Sequence, residues 1–453
     1  MKGLIFTYLL TFGGAAASLY HPFIGLLVYI SFAIIQPEAT WFWAVPAGNY
    51  SRIVAVALLS GWALRGFGRW KFGTARAIVA ALLGYLLWSV VGATLAVDQS
   101  IGWAFVETLL KIVLPFLVGI TTIDSVVKLR ALAWVIVVSQ GYVAYELNAS
   151  YYQGYNRVYL DGFNGMDNNC VAIAMVTCVG LAFFLALQAG RWWQKVAALV
   201  CGGLMAHVVM FSYSRGGMLA LIVTGFVAFL LIPKRPRHYL VFAAAAALMI
   251  RLAGPEVLDR FSTTFLDSNE RDASAQSRLE LWTACWDTML DRPVLGVGPD
   301  HWPLVVDKYG FPRGKEAHTL WLQIGAELGF PGLLCLALFY ALCVKRLLPL
   351  TRERLAVADP WFRDSARMVI ASLVGFAVSA QFVSLEGLET PYYVVLLGTG
   401  ALKLHSLAQQ PDQLAGVSPG EFRAPLAHLV GWDESATAHQ VVRSSRNWWA
   451  VAD

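Results

Sequence analysis

The chain has 453 residues, of which 58% are hydrophobic and 14% charged, and a mean hydropathy of +0.58; its repeated long apolar blocks mark an integral membrane protein and exclude an ordinary water-soluble one. The formal charge of +5 is modest, falls mostly in the loops between apolar blocks, and gives no argument for a nucleic-acid partner. No P-loop, DxD pair or HExxH occurs, so nucleotide hydrolysis and metal catalysis lose their sequence basis, and neither a metal site nor a cofactor is expected.

A helix needs about 20 residues to cross the hydrocarbon core. Taken in chain order, candidate spans lie near 3–20, 22–36, 51–65, 77–97, 101–120, 129–148, 170–188, 194–211, 216–233, 238–252, 319–345, 363–381 and 391–408. Some are short, and the first two can form one hairpin or a half-inserted element. The expected fold is therefore an all-α polytopic bundle of about 12–13 transmembrane helices. The first block runs into His21-Pro22 and a second apolar block with no small-residue cleavage site, so it should stay as an anchor. The chain divides into N-terminal helices (1–252), an outward loop region (253–318), C-terminal helices (319–408) and a loosely ordered cytoplasmic tail (409–453).

Lys and Arg concentrate in alternate loops: Arg65, Arg69, Lys71 and Arg76; Lys128 and Arg130; Arg191 and Lys195; Lys234, Arg235 and Arg237; and Lys345, Arg346, Arg352, Arg354, Arg363 and Arg367. That bias places these loops in the cytoplasm and the segments 149–169, 212–215, 253–318 and 382–390 outside. Thirteen spans would put the N-terminus outside and twelve inside. Five cysteines lie in or beside apolar blocks and only Cys285 lies in the large outer loop, so no disulfide can form within that loop. No internal repeat or pair of broken helices is evident, and the ionisable residues Glu107, Lys111 and Glu146 are few and scattered, which argues against a transporter.

Among the outer segments, "FSYSRGGMLAL" comes first. Ser214 can cap a helix beginning at Arg215, and Gly216-Gly217 would leave its first turn open to a phosphate; the alternative is close helix packing, with Arg215 reaching the headgroups. In the long loop, "SRLELWTACWDTMLDRP" has Ser277 and Glu280 at capping-box spacing and Leu279, Trp282, Trp286, Met289 and Leu290 at helical spacing. This predicts an amphipathic helix near 277–292 that packs its tryptophans at the membrane interface, with Arg278 in its first turn. "EAHTLWLQIGAELGFPG" then joins the loop to the next span, with His318 at the start of a helix whose N-terminus disfavours an imidazolium. A neutral imidazole can accept a proton, and the other clearly outward histidine is His301, after "GVGPD". Two arginines for a diphosphate and one base for a hydroxyl suit group transfer from a lipid diphosphate.

At these residues the chain resembles the O-antigen ligase superfamily, membrane glycosyltransferases of the GT-C type. The resemblance covers roughly 150–400, through "NRVYLDGFNGMDNN", "SYSRGG", "SRLELW", "RPVLGVGPDHW" and "EAHTLWLQIGAELGFPGLL". It implies that Arg215 and Arg278 bind the diphosphate of an undecaprenyl-diphosphate-linked glycan and that His318 is the base. Many members carry Asn after that histidine, where this chain has Thr319. Further candidate substrate-binding residues are Arg157, Arg52, Asn168, Asn169, His301, Glu386 and Glu389; Asp161, Asp167 and Asp300 are candidates for binding sugar hydroxyls or orienting the base. The implied setting is the periplasmic face of a bacterial inner membrane, with lipid A core or another hydroxyl as acceptor. More faintly, "HPFIGLLVYISFAIIQPEATWFW" resembles the exosortase-associated branch of O-glycosylation ligases, which leaves a protein hydroxyl or another glycan open as acceptor. A polymerase of the same superfamily and a carrier of lipid-linked glycans are the alternatives.

Overall fold

The structure, a computed structural model, describes residues 2–232, 236, 239–240, 242–244, 247, 251, 273–353, 355, 357, 359–385 and 387–409. Its helices in chain order are α1 (Lys2–Tyr8), continued through a π turn (Leu9–Gly13) into α2 (Gly14–Tyr20), α3 (Pro22–Ile35), α4 (Pro37–Thr40), α5 (Tyr50–Leu64), α6 (Arg76–Leu95), α7 (Gln99–Thr122), α8 (Val126–Tyr152) and α9 (Arg157–Leu160). They continue with α10 (Asn168–Gln188), α11 (Trp192–Phe211), α12 (Arg215–Leu231), α13 (Ala273–Asp291), α14 (Trp302–Val305), α15 (Leu320–Leu347), α16 (Pro360–Ser379) and α17 (Thr390–Ala408). No strand occurs among the described residues. Among the described residues, eight helical runs are long and apolar enough to cross a membrane, and α5 and α12 are shorter apolar helices. The protein is an all-α polytopic membrane protein. Every expected span coincides with a helix except 238–252, which falls largely outside the described residues, as do Lys234, Arg235, Arg237, Arg354 and the tail from 410.

Helices begin where polar residues interrupt the apolar blocks. Side-chain oxygens of Asp98, Asp167, Ser214 and Asp359 accept the N–H groups of Ser100, Cys170, Gly217 and Trp361 at 3.0, 2.7, 3.1 and 2.8 Å, closing the first turns of α7, α10, α12 and α16. Helix α10 is largely buried and packs against α8, α11, α12 and α16. At Gly180 it approaches α16 so closely that a Cβ would lie 2.9 Å from the Ser372 nitrogen, the small-residue contact that lets membrane helices pack backbone to backbone.

The two ends of the bundle differ in chemistry. At one end the basic loops are tied together: Arg69 N–H donates to Thr121 O, Arg346 to Thr74 O, and the Lys403 ammonium to the Ile120 and Ile123 carbonyls that end α7. A cation is well placed against a helix C-terminus. At the other end Arg157 donates to Ala39 O, Asn156 to Phe211 O, Asn168 to Ser212 O, and Thr319 N–H to Ser384 Oγ. The loops sorted by charge in the sequence are thus sorted in space. Helix α1 starts at this second end, with Gly3 against Trp41, the placement that goes with an odd number of spans.

The motif "RPVLGVGPDHW" fastens the segment before α15 to that helix. The N–H groups of Val297 and Gly298 donate to the Ala326 and Glu327 carbonyls, and Phe330 N–H donates to Pro293 O. These bonds form where α15 is kinked: Gly329 has φ 66° and ψ −172°, a conformation reserved for glycine. A side chain there would collide with the Val294 and Pro293 backbone. Over this kink a second, small core gathers Leu281, Ala284 and Cys285 of α13 with Trp302, Val306, Ala317 and Ala326.

Candidate functional site

The segment before α15 is held from several directions. Trp282 donates its indole N–H to Ala317 O at 3.2 Å, and Ala317 N–H donates to Gln323 Oε1 at 3.0 Å. On the other side of His318, Thr319 N–H donates to Ser384 Oγ at 3.2 Å, the Gln381 amide to Thr319 Oγ1 at 3.4 Å, and Leu320 N–H to Ala380 O at 2.9 Å. His318 itself has φ 54°, a left-handed conformation that a β-substituted residue keeps only when its surroundings impose it. The helix begins at Leu320, so His318 lies two residues ahead of it rather than at its first position.

His318 is half-buried, and its imidazole is pushed down to about 4: burial is the largest cause, Arg278 and Lys315 add to it, and Asp167 opposes it. These charges, rather than the helix terminus expected from the sequence, join burial in keeping the ring neutral. Asp167 feels His318 in return. Burial raises its carboxyl, but the Cys170 N–H and side chain, the Asn169 amide and His318 together hold it below the usual range. The structure therefore places His318, Arg278, Lys315 and Asp167 within electrostatic reach of one another.

Arg215 opens α12, capped by Ser214 as the sequence suggests. The two glycines after it serve packing: a Cβ at Gly216 would lie 2.8 Å from Phe382, and one at Gly217 2.7 Å from the Ala172 methyl. Those contacts favour the close-packing alternative for the two glycines. The Phe382 ring in turn lies 6.4 Å from that of Trp282, one helical turn beyond Arg278. The elements carrying Arg215, Arg278 and His318 thus converge around Phe382 and Trp282.

Helix α13 runs over Ala273–Asp291, so Ser277 and Glu280 form no capping box and Arg278 is one turn further in than expected. The spacing misled because the start of the helix lies before the motif. Its faces also differ from the expectation: Leu281, Ala284, Cys285 and Met289 are buried, while Leu279, Trp286 and Leu290 are 43%, 46% and 53% exposed along one stripe. The second stripe is free to meet lipid, and the first supports the site.

The remaining candidates divide. Asn168 and Asn169 sit with Asp167 at the start of α10; the Asn168 amide donates to Ser212 O at 2.7 Å, joining this corner to the Ser214–Arg215 turn. Arg157 is anchored elsewhere, donating to Ala39 O at 2.8 Å and lying over the Phe42 and Phe163 rings. Arg52 is well exposed and lies 4.0 Å from Glu107, which pairs with Lys111 at 2.9 Å. Asp161 accepts from the Tyr155 hydroxyl at 2.8 Å. His301 is buried with both ring nitrogens engaged: Nε2 accepts from Asp98 N–H at 3.1 Å and Nδ1 donates to Pro299 O at 2.7 Å. Such a ring is a joint between the start of α7 and the segment before α15. Glu389 accepts from the Tyr393 hydroxyl, and burial pushes its carboxyl up to about 7. Glu386 lies outside the described residues.

Sequence reasoning missed Trp282, Gln323, Gln381 and Ser384 as supports of the histidine, and it missed Glu316 altogether. Only Glu316 had a local signal, being two residues from His318. Glu327, buried in α15, accepts the N–H groups of Asp300 and Trp302 at 2.9 and 3.2 Å. Among the described residues no group of three or more His, Cys, Asp and Glu could hold a metal ion.

Residues 200–337 match the family described as O-antigen ligase, and residues 1–186 match a family of unknown function (DUF5935). No curated protein matches the chain. The first match contains Arg215, Arg278 and His318, and the second contains Arg52, Arg157, Asn168 and Asn169. The domain match at 200–337, which carries the histidine and both arginines of the convergent site, supports the resemblance of this chain to the O-antigen ligase superfamily.

Proposed function

We propose that this protein is a glycosyltransferase that moves a glycan from undecaprenyl diphosphate to an acceptor hydroxyl, most simply one on a lipid A core sugar, at the periplasmic face of a bacterial inner membrane. The observation that carries the reading is His318: a neutral imidazole, held in a left-handed backbone turn within electrostatic reach of Arg278.

In this reading Arg215 and Arg278 bind the donor diphosphate. A guanidinium offers two parallel N–H donors to phosphate oxygens and stabilises the charge that develops as the sugar–phosphate bond breaks, the role a metal ion takes elsewhere. His318 takes the proton of the acceptor hydroxyl while its oxygen forms a bond to the anomeric carbon. The bond from that carbon to the diphosphate oxygen breaks, undecaprenyl diphosphate leaves with the electron pair, and the proton passes from the imidazolium to water. Attack opposite the leaving group inverts the anomeric centre. Donor binding would bring negative charge to Arg278, which depresses His318, so the base strengthens when the donor arrives.

The test is incubation of purified protein, with EDTA present, with an undecaprenyl-diphosphate glycan and lipid A core, a candidate protein, or donor alone. Transfer to lipid A core is expected. Transfer to protein, or glycan chain growth, would replace the acceptor by the protein-glycosylating or polymerising alternative, and unchanged donor throughout would overturn the reading. His318→Ala should lower turnover roughly 10²–10⁴-fold with little change in donor binding. A folded His318→Ala protein with near-parent turnover would remove the residue from the mechanism.

A further inference from the structure

Beside the histidine segment lies a cleft of about 270 Å³ between α6, α7 and the adjoining loops. Its walls include the rings of Tyr85 and Phe105, Thr108, Ser384, and the carboxyl groups of Asp300 and Glu316. None of Arg215, Arg278 and His318 lines it, and among the described residues no lysine or arginine does. The chain from 316 to 320 therefore separates two environments. Arg278 and Lys315 make one of them positive around His318, while the cleft presents carboxyl groups, hydroxyls and aromatic carbon.

We propose that this cleft is a binding site for an uncharged sugar of the acceptor. The inference rests on the glycosyl-transfer reading above and adds to it where the acceptor sits and which chemical class it belongs to. A phosphorylated group would be repelled by two carboxyl groups with no cation among the described lining residues. Sugar hydroxyls, by contrast, match what the walls offer. Ser384 Oγ already accepts from Thr319 N–H, which leaves its own O–H to donate. Thr108 donates to Ala104 O at 3.1 Å and keeps lone pairs to accept. The carboxyl groups of Glu316 and Asp300, which line the cleft, can accept hydrogen bonds from sugar hydroxyls. Ser384 also ties the cleft to the base, because the oxygen that lines the cleft holds the backbone next to His318. The cleft is slightly smaller than the roughly 300–1,000 Å³ of drug-sized ligand sites, which suits a short saccharide rather than a long chain.

The experiment measures binding, separately from turnover, of dephosphorylated core oligosaccharide cleaved from lipid A, titrated into the full-length protein in detergent without donor. The parent should bind it, and Glu316→Gln and Thr108→Trp, which neutralises one acceptor and fills the cleft from α7, should each weaken it about tenfold or more. Donor binding, measured in parallel, should stay at the parent value and reports that both variants fold. Absence of oligosaccharide binding in the parent, or parent-like binding in both variants, overturns the inference. Tighter binding of the phosphorylated oligosaccharide overturns the assignment to an uncharged sugar. Failure of the glycosyl-transfer reading would show separately, as absent transfer in the assay above whatever the binding result.

Discussion

His318 is depressed by burial first and by Arg278 and Lys315 next, with Asp167 pulling the other way. The sign of its pH dependence follows. A base must be unprotonated to act, so activity falls as pH drops through the value of the imidazole, about 4 in the free protein. Donor diphosphate adds negative charge beside Arg278 and favours the imidazolium, moving that value up. The acid limb of kcat should therefore lie at higher pH than the acid limb of kcat/KM for the donor, which reports the donor-free protein. Arg278→Gln removes a depressing charge and should shift the free-protein limb upward. The imidazole C–H chemical shifts followed by NMR titration, with and without donor, measure the same displacement directly. Coincident values in the parent, the variant and the donor complex would show that Arg278 and the diphosphate do not act on this ring.

Among the elements, α15 is the one whose irregularity matters. An uninterrupted helix through 320–347 would have no place for the backbone of "RPVLGVGPDHW", which docks through Val297, Gly298 and Phe330 at the Gly329 kink. Gly329→Ala should destabilise the protein by about 1–3 kcal/mol or more, from the forbidden backbone angle and from the collision with Val294. The measurement is thermal unfolding in detergent, where a clear fall in the midpoint is expected. An unchanged midpoint would mean that the segment before α15 does not depend on the kink. Helix α13 makes the complementary point. Its buried residues Leu281, Ala284 and Cys285 build the small core, and Trp282, beside them, supports the histidine segment.

For the whole molecule, the segregation of basic loops to one end and of the candidate site to the other predicts a sidedness in the membrane. Gln153 and Gly190 are exposed at opposite ends of the bundle. A cysteine at 153 should react with a membrane-impermeant thiol reagent in intact spheroplasts, and one at 190 only after lysis. The native Cys285 is buried and should stay silent. The reverse labelling pattern would place the site in the cytoplasm and remove the periplasmic setting.

Much of this was legible in the sequence because the membrane imposes simple one-dimensional rules. Apolar blocks of crossing length became helices, charge asymmetry sorted the loops, and Ser214 capped α12, all of which depend on neighbours along the chain. The local motifs also named Arg215, Arg278 and His318, but not what surrounds them. That Gly216 and Gly217 face Phe382 and Ala172, that α13 starts before its apparent capping box, and that His301 joins two segments instead of standing free were decided by partners distant in sequence. So was the cleft between Thr108, Asp300, Glu316 and Ser384, which no spacing could reveal. A hydrogen-bond partner or a cavity wall is chosen by packing in three dimensions, and the sequence fixes it only through the whole fold.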